Sequence, residues 1–201
     1  MAELRSFIFL DQLQPQTMCY LGTWVKGSLP RSGMAALVIE VAPGLDIEAL
    51  TDVALKHTEV KAGILVVERQ YGYLEVHSCS TEAVRSAGAA VLEALEASVA
   101  DATRPVVLAS RIVSRLDAQH AFLVNRNKIG SMALPGESLF VLEMQPASYA
   151  ILATNEAEKA ARIKVVDYRM IGATGRVYLP GEESDVRAAG DAATAALEAV
   201  A

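Results

Sequence analysis

The chain has 201 residues, of which 52% are hydrophobic and 21% charged, and its formal net charge is −6. This acidic balance argues against a nucleic-acid binder, which would present a basic face, and the dispersed charges with a high apolar fraction argue against disorder. Apolar runs fall short of the roughly 18 residues of a membrane span, and the N-terminus lacks the basic start and long apolar core of a secretory signal.

The sequence repeats itself after about half its length. Leu37–Glu40 recurs 103 residues later as Phe140–Glu143, and Lys56 recurs at the same interval as Lys159. This period is too long for solenoid repeats, which run roughly 20 to 50 residues, and it matches one small domain. The sequence therefore predicts two tandem domains, 1–100 and 101–201.

Each half opens on two apolar segments that the sequence predicts as a pair of strands. In the first copy they run from Ser6 to Leu13 and from Thr17 to Val25. In the second copy they run from Val106 to Val113 and from His120 to Asn125. Their aromatic and β-branched residues fit a half-buried pleated surface, and a turn rich in Gly, Pro and Ser follows in both copies.

A continuous apolar run and a helix come next in each copy. The runs Ala35–Val41 and Leu139–Met144 predict central strands that are covered on both faces. We expect Asp46 to cap the first helix. The second helix is expected to start at Ser148 or in the nearby loop and to end near Ala161.

Two further strands and an alanine-rich helix complete each copy. The predicted strands are Val60–Val67 and Leu74–His77, then Ile163–Tyr168 and Val177–Leu179. The predicted final helices are Thr81–Ala97 and Ser184–Val200, with Thr81 and Ser184 as caps. This order predicts an α+β fold, a mainly antiparallel sheet with helices over one face, in duplicate.

Residues able to do chemistry form no recognisable constellation. His57, His77 and His120 share no metal-ligand spacing, and the chain has neither a nucleophile elbow nor a phosphate-binding loop. Glu40 and Glu143 end equivalent strands and could act as paired acids, although their recurrence favours a structural role in each copy. We expect no catalytic residue, no metal and no cofactor.

The two cysteines, Cys19 and Cys79, stand at unrelated positions of the two copies. They show no spacing typical of a metal site or a disulfide framework. The sequence therefore predicts reduced, buried thiols in a cytosolic protein, and a disulfide or a reactive thiol is the alternative.

The order of elements resembles that of bacterial microcompartment shell proteins. In that family a strand, a helix ending near a lysine, two strands joined by an I-G-S-G-type loop and a final helix form one domain. Ile171–Gly175 is similar to that loop, whereas Glu68–Tyr73 keeps one glycine. The opening strand pair resembles the circularly permuted tandem form, and Val113-Ser114-Arg115 is similar to a motif of its ethanolamine-utilisation type.

The resemblance implies that three chains form a pseudo-hexameric tile that packs edge to edge with other shell proteins of a cytoplasmic microcompartment. It implies a structural protein with a central pore for small polar metabolites, without nucleic acid or membrane as partners. The implied pore lining is Arg69, Gln70, Tyr71, Gly72, Gly172, Ala173, Thr174 and Gly175. Lys56 and Lys159 match the family's edge lysine, and the alternative is two solvated lysines favoured by the helix dipole.

The resemblance also implies properties of the pore. Glycine would allow the backbone to approach the axis closely, and three copies each of Arg69 and Arg176 would favour anions. Tyr71 and Tyr73 could close the opening. Both loops are short, however, which favours a narrow opening of low mobility.

Two other classes of function stay open on the sequence alone. One is a trimeric ligand-binding or regulatory protein that does not tile. The other is an enzyme that uses Glu40 or Glu143 together with a histidine.

Overall fold

The computed structural model describes residues 2–200 and divides the chain into two compact units. Unit 1 is Met1–Arg104 and unit 2 is Pro105–Ala201. Within residues 2–200, no helix is both long enough and apolar enough to cross a lipid bilayer.

The elements of unit 1 follow the predicted order with one substitution, a helix after the first strand. The strands are β1 Glu3–Leu10, β2 Ala35–Ala42, β3 Lys61–Glu68 and β4 Tyr71–Ser78. The helices are α1 Pro15–Leu21, α2 Ile47–His57 and α3 Thr81–Ala94. Short 3-10 turns cover Gly44–Asp46, before α2, and Val99–Asp101, near the end of the unit.

Unit 2 repeats this order. The strands are β5 Val106–Val113, β6 Ser138–Gln145, β7 Asp167–Arg169 and β8 Gly175–Gly181. The helices are α4 Ala118–Asn125, α5 Tyr149–Ala160 and α6 Glu183–Ala199.

Each unit contains one four-stranded antiparallel sheet, so the predicted α+β class is confirmed. The strand orders are β1-β2-β4-β3 and β5-β6-β8-β7. Glu40 of β2 lies opposite Tyr73 of β4, and Glu143 of β6 lies opposite Arg176 of β8. Equivalent positions therefore differ by 103 through the sheets, and by 102 in the final helices, where Val84–Gly88 matches 186–190.

The core of unit 1 lies between its sheet and the two long helices. Leu37 and Ile39 of β2 and Leu74 and Val76 of β4 share one buried cluster with apolar residues of α2 and α3. The opposite face of β2 is also buried, since every residue from Ala35 to Val41 is at most 2% exposed. The prediction of a central strand covered on both faces is therefore confirmed for β2.

Two predicted strands are wrong, because the segments from Thr17 to Val25 and from His120 to Asn125 contain the helices α1 and α4. In α1 the residues Thr17, Tyr20 and Leu21 are buried, which is the i, i+3, i+4 spacing of one helix face. Pro15 occupies the first turn of α1, where its missing N–H costs nothing. In α4 the side chain of Asp117 accepts a hydrogen bond from Gln119 N at 2.8 Å.

Two predicted caps are also wrong, and a third, Asp46, stands at the N-cap position without a capping bond. Ser80, not Thr81, caps α3, and its Oγ accepts a hydrogen bond from Ala83 N at 3.2 Å. Asp46 stands before α2 without a capping side-chain bond, because a 3-10 turn leads directly into that helix. Ser184 lies inside α6, which begins at Glu183.

Several element boundaries differ from the prediction. β1 runs from Glu3 to Leu10 instead of from Ser6 to Leu13. α3 ends at Ala94 instead of Ala97, because Glu96 turns the chain with a φ of 51° and Ala97 N bonds back to Leu92 O. Strand β7 covers just Asp167–Arg169, although the preceding segment still bonds to β8 through Lys164 N and Pro180 O.

Candidate pore loops and the charged face of unit 2

The first predicted pore loop is a tight hairpin between β3 and β4. Arg69 has a φ of 56° and its side chain is 87% exposed, with Nε 3.8 Å from Glu68 Oε1. Gln70 Nε2 donates to the Tyr71 hydroxyl at 2.7 Å. The guanidinium of Arg5 lies 4.2 Å from the centre of the Tyr71 ring. Tyr71 is therefore held by a cation–π contact instead of standing free.

The second predicted pore loop is longer and joins β7 to β8. Gly172 has a φ of 131°, and a Cβ built there would meet nothing within 4 Å. Thr174 Oγ1 donates to Glu143 Oε1 at 2.8 Å, and Arg176 Nε contacts the same oxygen at 3.2 Å. These two bonds, from Thr174 first and Arg176 second, hold the pKa of Glu143 below its usual range.

Two of the predicted pore glycines have a local structural reason. A Cβ on Gly72 would collide with the carbonyl of Gly44 and would lie 2.7 Å from Ile47 Cβ. A Cβ on Gly175 would collide with the carbonyl of Ala147 and would lie 2.9 Å from Met144 Sδ. Each glycine therefore lets the chain segment that follows the central strand cross over the sheet.

Beside the longer loop, unit 2 contains an open, charged cavity of about 380 Å³. Its lining includes Asn127, Asp167, Arg169, Gly172, Thr174 and Arg176. Arg169 Nε lies 3.1 Å from Asp167 Oδ2, and the Asp167 side chain is 4% exposed. Both arginines of the cavity are thus paired to carboxylates while keeping exposed N–H groups.

The equivalent face of unit 1 contains a buried acid–base pair that the sequence analysis missed. His77 Nδ1 lies 2.9 Å from Glu75 Oε1, and both residues are buried. Glu75 Oε2 lies against Gly63 without a hydrogen bond of good geometry. Burial raises the pKa of Glu75, and the contact with His77 opposes that rise. The detectable signal is the alternation of Glu75 and His77 along an otherwise apolar strand.

The two lysines predicted at a tile edge lie at the ends of equivalent helices. Lys56 Nζ bonds to Asp52 Oδ2 at 2.6 Å, and the lysine side chain is 75% exposed. Lys159 Nζ bonds to Glu156 Oε1 at 2.8 Å, and its side chain is 28% exposed. Lys56 is therefore the more accessible of the two.

Other sequence-based expectations need correction. Tyr73 is fully buried, so it cannot swing into an opening as proposed. Cys19 and Cys79 are free but exposed, not buried, since Cys19 lies on the outer side of α1 and Cys79 follows the end of β4.

In residues 2–200, His, Cys, Asp and Glu form no group suited to hold a metal ion.

Comparison with known proteins identifies the family. Residues 4–101 match the CsoS1D N-terminal domain and residues 138–201 match the BMC domain. The carboxysome shell protein CcmP of Synechococcus elongatus is 47% identical over 98% of this chain and 92% of its own length. The chain therefore belongs to the bacterial microcompartment shell proteins.

Solved structures define the type within that family. The fused permuted hexameric shell protein from the RMM microcompartment is 72% identical, with a TM-score of 0.96 and 98% coverage of both chains. A double-ringed trimeric shell protein from the same microcompartment is 44% identical, with a TM-score of 0.95 over 99% of this chain and 97% of that one. The chain thus has two tandem shell domains in permuted order.

Proposed function

We propose that three copies of this chain form a pseudo-hexameric trimer, a tile that joins other shell proteins edge to edge in a cytoplasmic microcompartment. Residues 1–100 and 101–201 would each supply one shell domain. The observation that supports this most is the equal strand order and register of the two sheets. Units built alike can alternate around one axis, and the two RMM relatives are described as hexameric and trimeric.

The pore is proposed where the β3–β4 hairpin and the β7–β8 loop alternate around that axis. Both connect equivalent strand pairs at the same end of equivalent sheets, so a pseudo-sixfold arrangement brings them to the same radius. The proposed lining is Arg69, Gln70, Tyr71, Gly72, Gly172, Ala173, Thr174 and Gly175. Exposed N–H groups on Arg69 and Arg176 favour small polar metabolites, anions first.

We assign the protein no catalytic role. The carboxylates considered as acids are both paired with arginine: Glu40 with Arg5 at 2.8 Å and Glu143 with Arg176 at 3.2 Å. An ion-paired carboxylate serves the fold in each unit, in keeping with its recurrence.

The edge assignment is tested with the double variant Lys56→Ala and Lys159→Ala. We expect trimers of normal mass in sedimentation and a loss of extended sheets in electron microscopy, because an edge ammonium that donates to the neighbouring tile is gone. The matched control removes two other exposed lysines, Lys26→Ala with Lys128→Ala, and should form sheets normally.

Three outcomes would contradict parts of the proposal. Unchanged sheets in the Lys56/Lys159 variant would remove the edge assignment. Unmodified trimers that form no sheet under any condition would favour the regulatory protein that does not tile. An assembled structure whose centre is walled by segments other than the two loops would remove the pore assignment.

A further inference from the structure

Unit 2 contains a second cavity, distinct from the one beside the pore loop. We call it the α6 groove, and it lies between β5 and α6 with a volume of about 310 Å³. Its lining includes Ser110, Ile112, Phe140, Arg187, Asp191 and Thr194. Its size is at the lower end of the range of about 300–1,000 Å³ found for small-molecule sites.

The equivalent space in unit 1 is filled with aromatic side chains. Phe7, at the position of Ser110, packs so closely that a Cβ on Gly88 would lie 2.7 Å from its ring. Phe9, at the position of Ile112, lies under the guanidinium of Arg85 at 4.0 Å. Unit 1 thus fills this space with its own side chains.

Unit 2 opens the space by a set of exchanges to smaller or polar side chains. Phe7 and Phe9 become Ser110 and Ile112, and Leu92 of α3 becomes Thr194 of α6. The remaining aromatic ring, Phe140, replaces Leu37 and lies 3.0 Å from the Cβ position of Gly190. The Phe140 ring forms the apolar floor of the groove, and a volume of about 310 Å³ stays open above it.

The charged groups of the groove are of both signs. Arg187 bonds to Glu183 at 2.6 Å through one edge of its guanidinium, which leaves further N–H donors. Arg111 also lines the groove and donates from Nη1 to the carbonyl of Ser110 at 2.7 Å. Among residues 2–200, the carboxylate of Asp191 has no hydrogen-bond or ion-pair partner, and neither has the hydroxyl of Ser110.

We propose that the α6 groove binds a small hydroxylated zwitterion of the amino acid class. Its carboxylate would pair with the guanidinium group of Arg187, because planar carboxylates suit that fork. Its ammonium would pair with the unpartnered Asp191, and its hydroxyl would meet Ser110. This site is separate from the proposed pore and does not depend on it.

The test uses three probes that differ by one charged group: L-serine, glycerate, which lacks the ammonium, and ethanolamine, which lacks the carboxylate. The intact assembled protein is titrated with each probe, and the shift of its unfolding temperature gives an apparent Kd. We expect L-serine to bind up to about fivefold more tightly than either relative, because each relative forgoes one ion pair with a solvent-exposed side chain of the groove.

Variants separate this site from unspecific effects of solutes. Ser110→Phe and Thr194→Leu, which install the residues of unit 1, should each abolish the L-serine shift, and two fillers guard against one that fails to fold. Asp191→Asn should weaken L-serine binding by up to about fivefold and leave glycerate binding unchanged, because one exposed ion pair is lost. Arg85→Gln in unit 1 and Glu198→Gln on α6 are the controls and should bind normally.

Two outcomes overturn the proposal. One is that no probe shifts the unfolding temperature, or that the shift survives both filler variants. The other is that glycerate binds as tightly as L-serine, which would make the groove a site for anions and leave Asp191 without a role.

Discussion

The two units place the same glutamate in opposite environments. Glu40 is fully buried and bonds to Arg5, which comes from the edge strand β1. Glu143 is 35% exposed and bonds to Arg176, which comes from the neighbouring strand β8. Both copies thus contain the glutamate, but the arginine that pairs with it comes from a different strand in each copy. One carboxylate has become part of a core, whereas the other has stayed at a surface where a solute can reach it.

The same sheet face differs in bulk as well as in charge. Trp24 of unit 1 is replaced by Asn127 in unit 2, and buried Ile64 is replaced by Asp167. Both replacements line the cavity beside the longer loop. The comparison teaches that a few exchanges from large or apolar residues to short polar ones accompany a charged recess in unit 2, while the register of the sheet is unchanged.

The largest expected effect concerns the buried ion pair. Arg5→Leu should lower the free energy of unfolding by about 3–5 kcal/mol, because it leaves the buried carboxylate of Glu40 without its cation. Arg176→Leu should cost less than about 1 kcal/mol, since Glu143 is accessible to water and keeps its bond from Thr174. Denaturant unfolding of both variants measures the contrast. Equal losses would show that the two pairs are equivalent in energy despite their different burial.

The next effect compares two glycines of the proposed pore. Gly72→Ala should destabilise by about 3 kcal/mol, since the new methyl group meets the Gly44 carbonyl and Ile47. Gly172→Ala should cost about 1–2 kcal/mol from its positive φ alone, because nothing lies within 4 Å. Thermal unfolding of the two variants decides. A milder loss in Gly72→Ala than in Gly172→Ala would contradict the crossing described above.

The smallest effect is a pair of opposite pH dependences. The pKa of Glu75 is raised by burial, so the folded state holds this proton to higher pH than the unfolded chain. Stability from this group therefore falls as pH rises from about 4, its unfolded value, through the folded pKa. Glu75→Gln should remove that fall and change stability at neutral pH by about 1 kcal/mol.

Glu143 should show the reverse sign. Its pKa is lowered by Thr174 and Arg176, so its contribution is present above the usual carboxyl range and is lost as pH falls through the folded pKa. Glu143→Gln should therefore flatten the acid side of the stability curve. Denaturant midpoints measured from pH 3 to 8 compare the two variants, and slopes of the same sign would refute the contrast.

Most of the fold could be predicted from the sequence, but the segments that form α1 and α4 were predicted as strands. Continuous apolar runs predicted both β2 and β6 as central strands. Coverage on both faces holds for β2 but not for β6, in which Val141 and Glu143 are half-buried. For α1, the β-favouring residues Thr17 and Tyr20 concealed a helical spacing that Pro15 and the buried set reveal. Short helices of this kind owe their stability to tertiary packing more than to propensity, which a single sequence does not contain.

The ion pairs on the sheet faces could not be predicted from the sequence, for a different reason. Which residues share a face depends on register, and β1 has an irregularity between Leu4 and Ser6 that changes its facing. Arg5 and Glu40 are 35 residues apart in sequence, so no local pattern joins them. The repeat identified Glu40 and Glu143 as equivalent residues. It could not predict their partners Arg5 and Arg176, because these two arginines do not stand at equivalent positions.

The side chain of Arg5 touches two groups at once, the carboxylate of Glu40 and the ring of Tyr71. A change at one member of this trio leaves the other two mismatched, so positions 5, 40 and 71 should covary across related chains. The second copy already shows one such exchange: leucine stands at the equivalent of Arg5, and Thr174, at the equivalent of Tyr71, now donates to the glutamate. Gene duplication has thus kept two coordinated solutions side by side within one polypeptide.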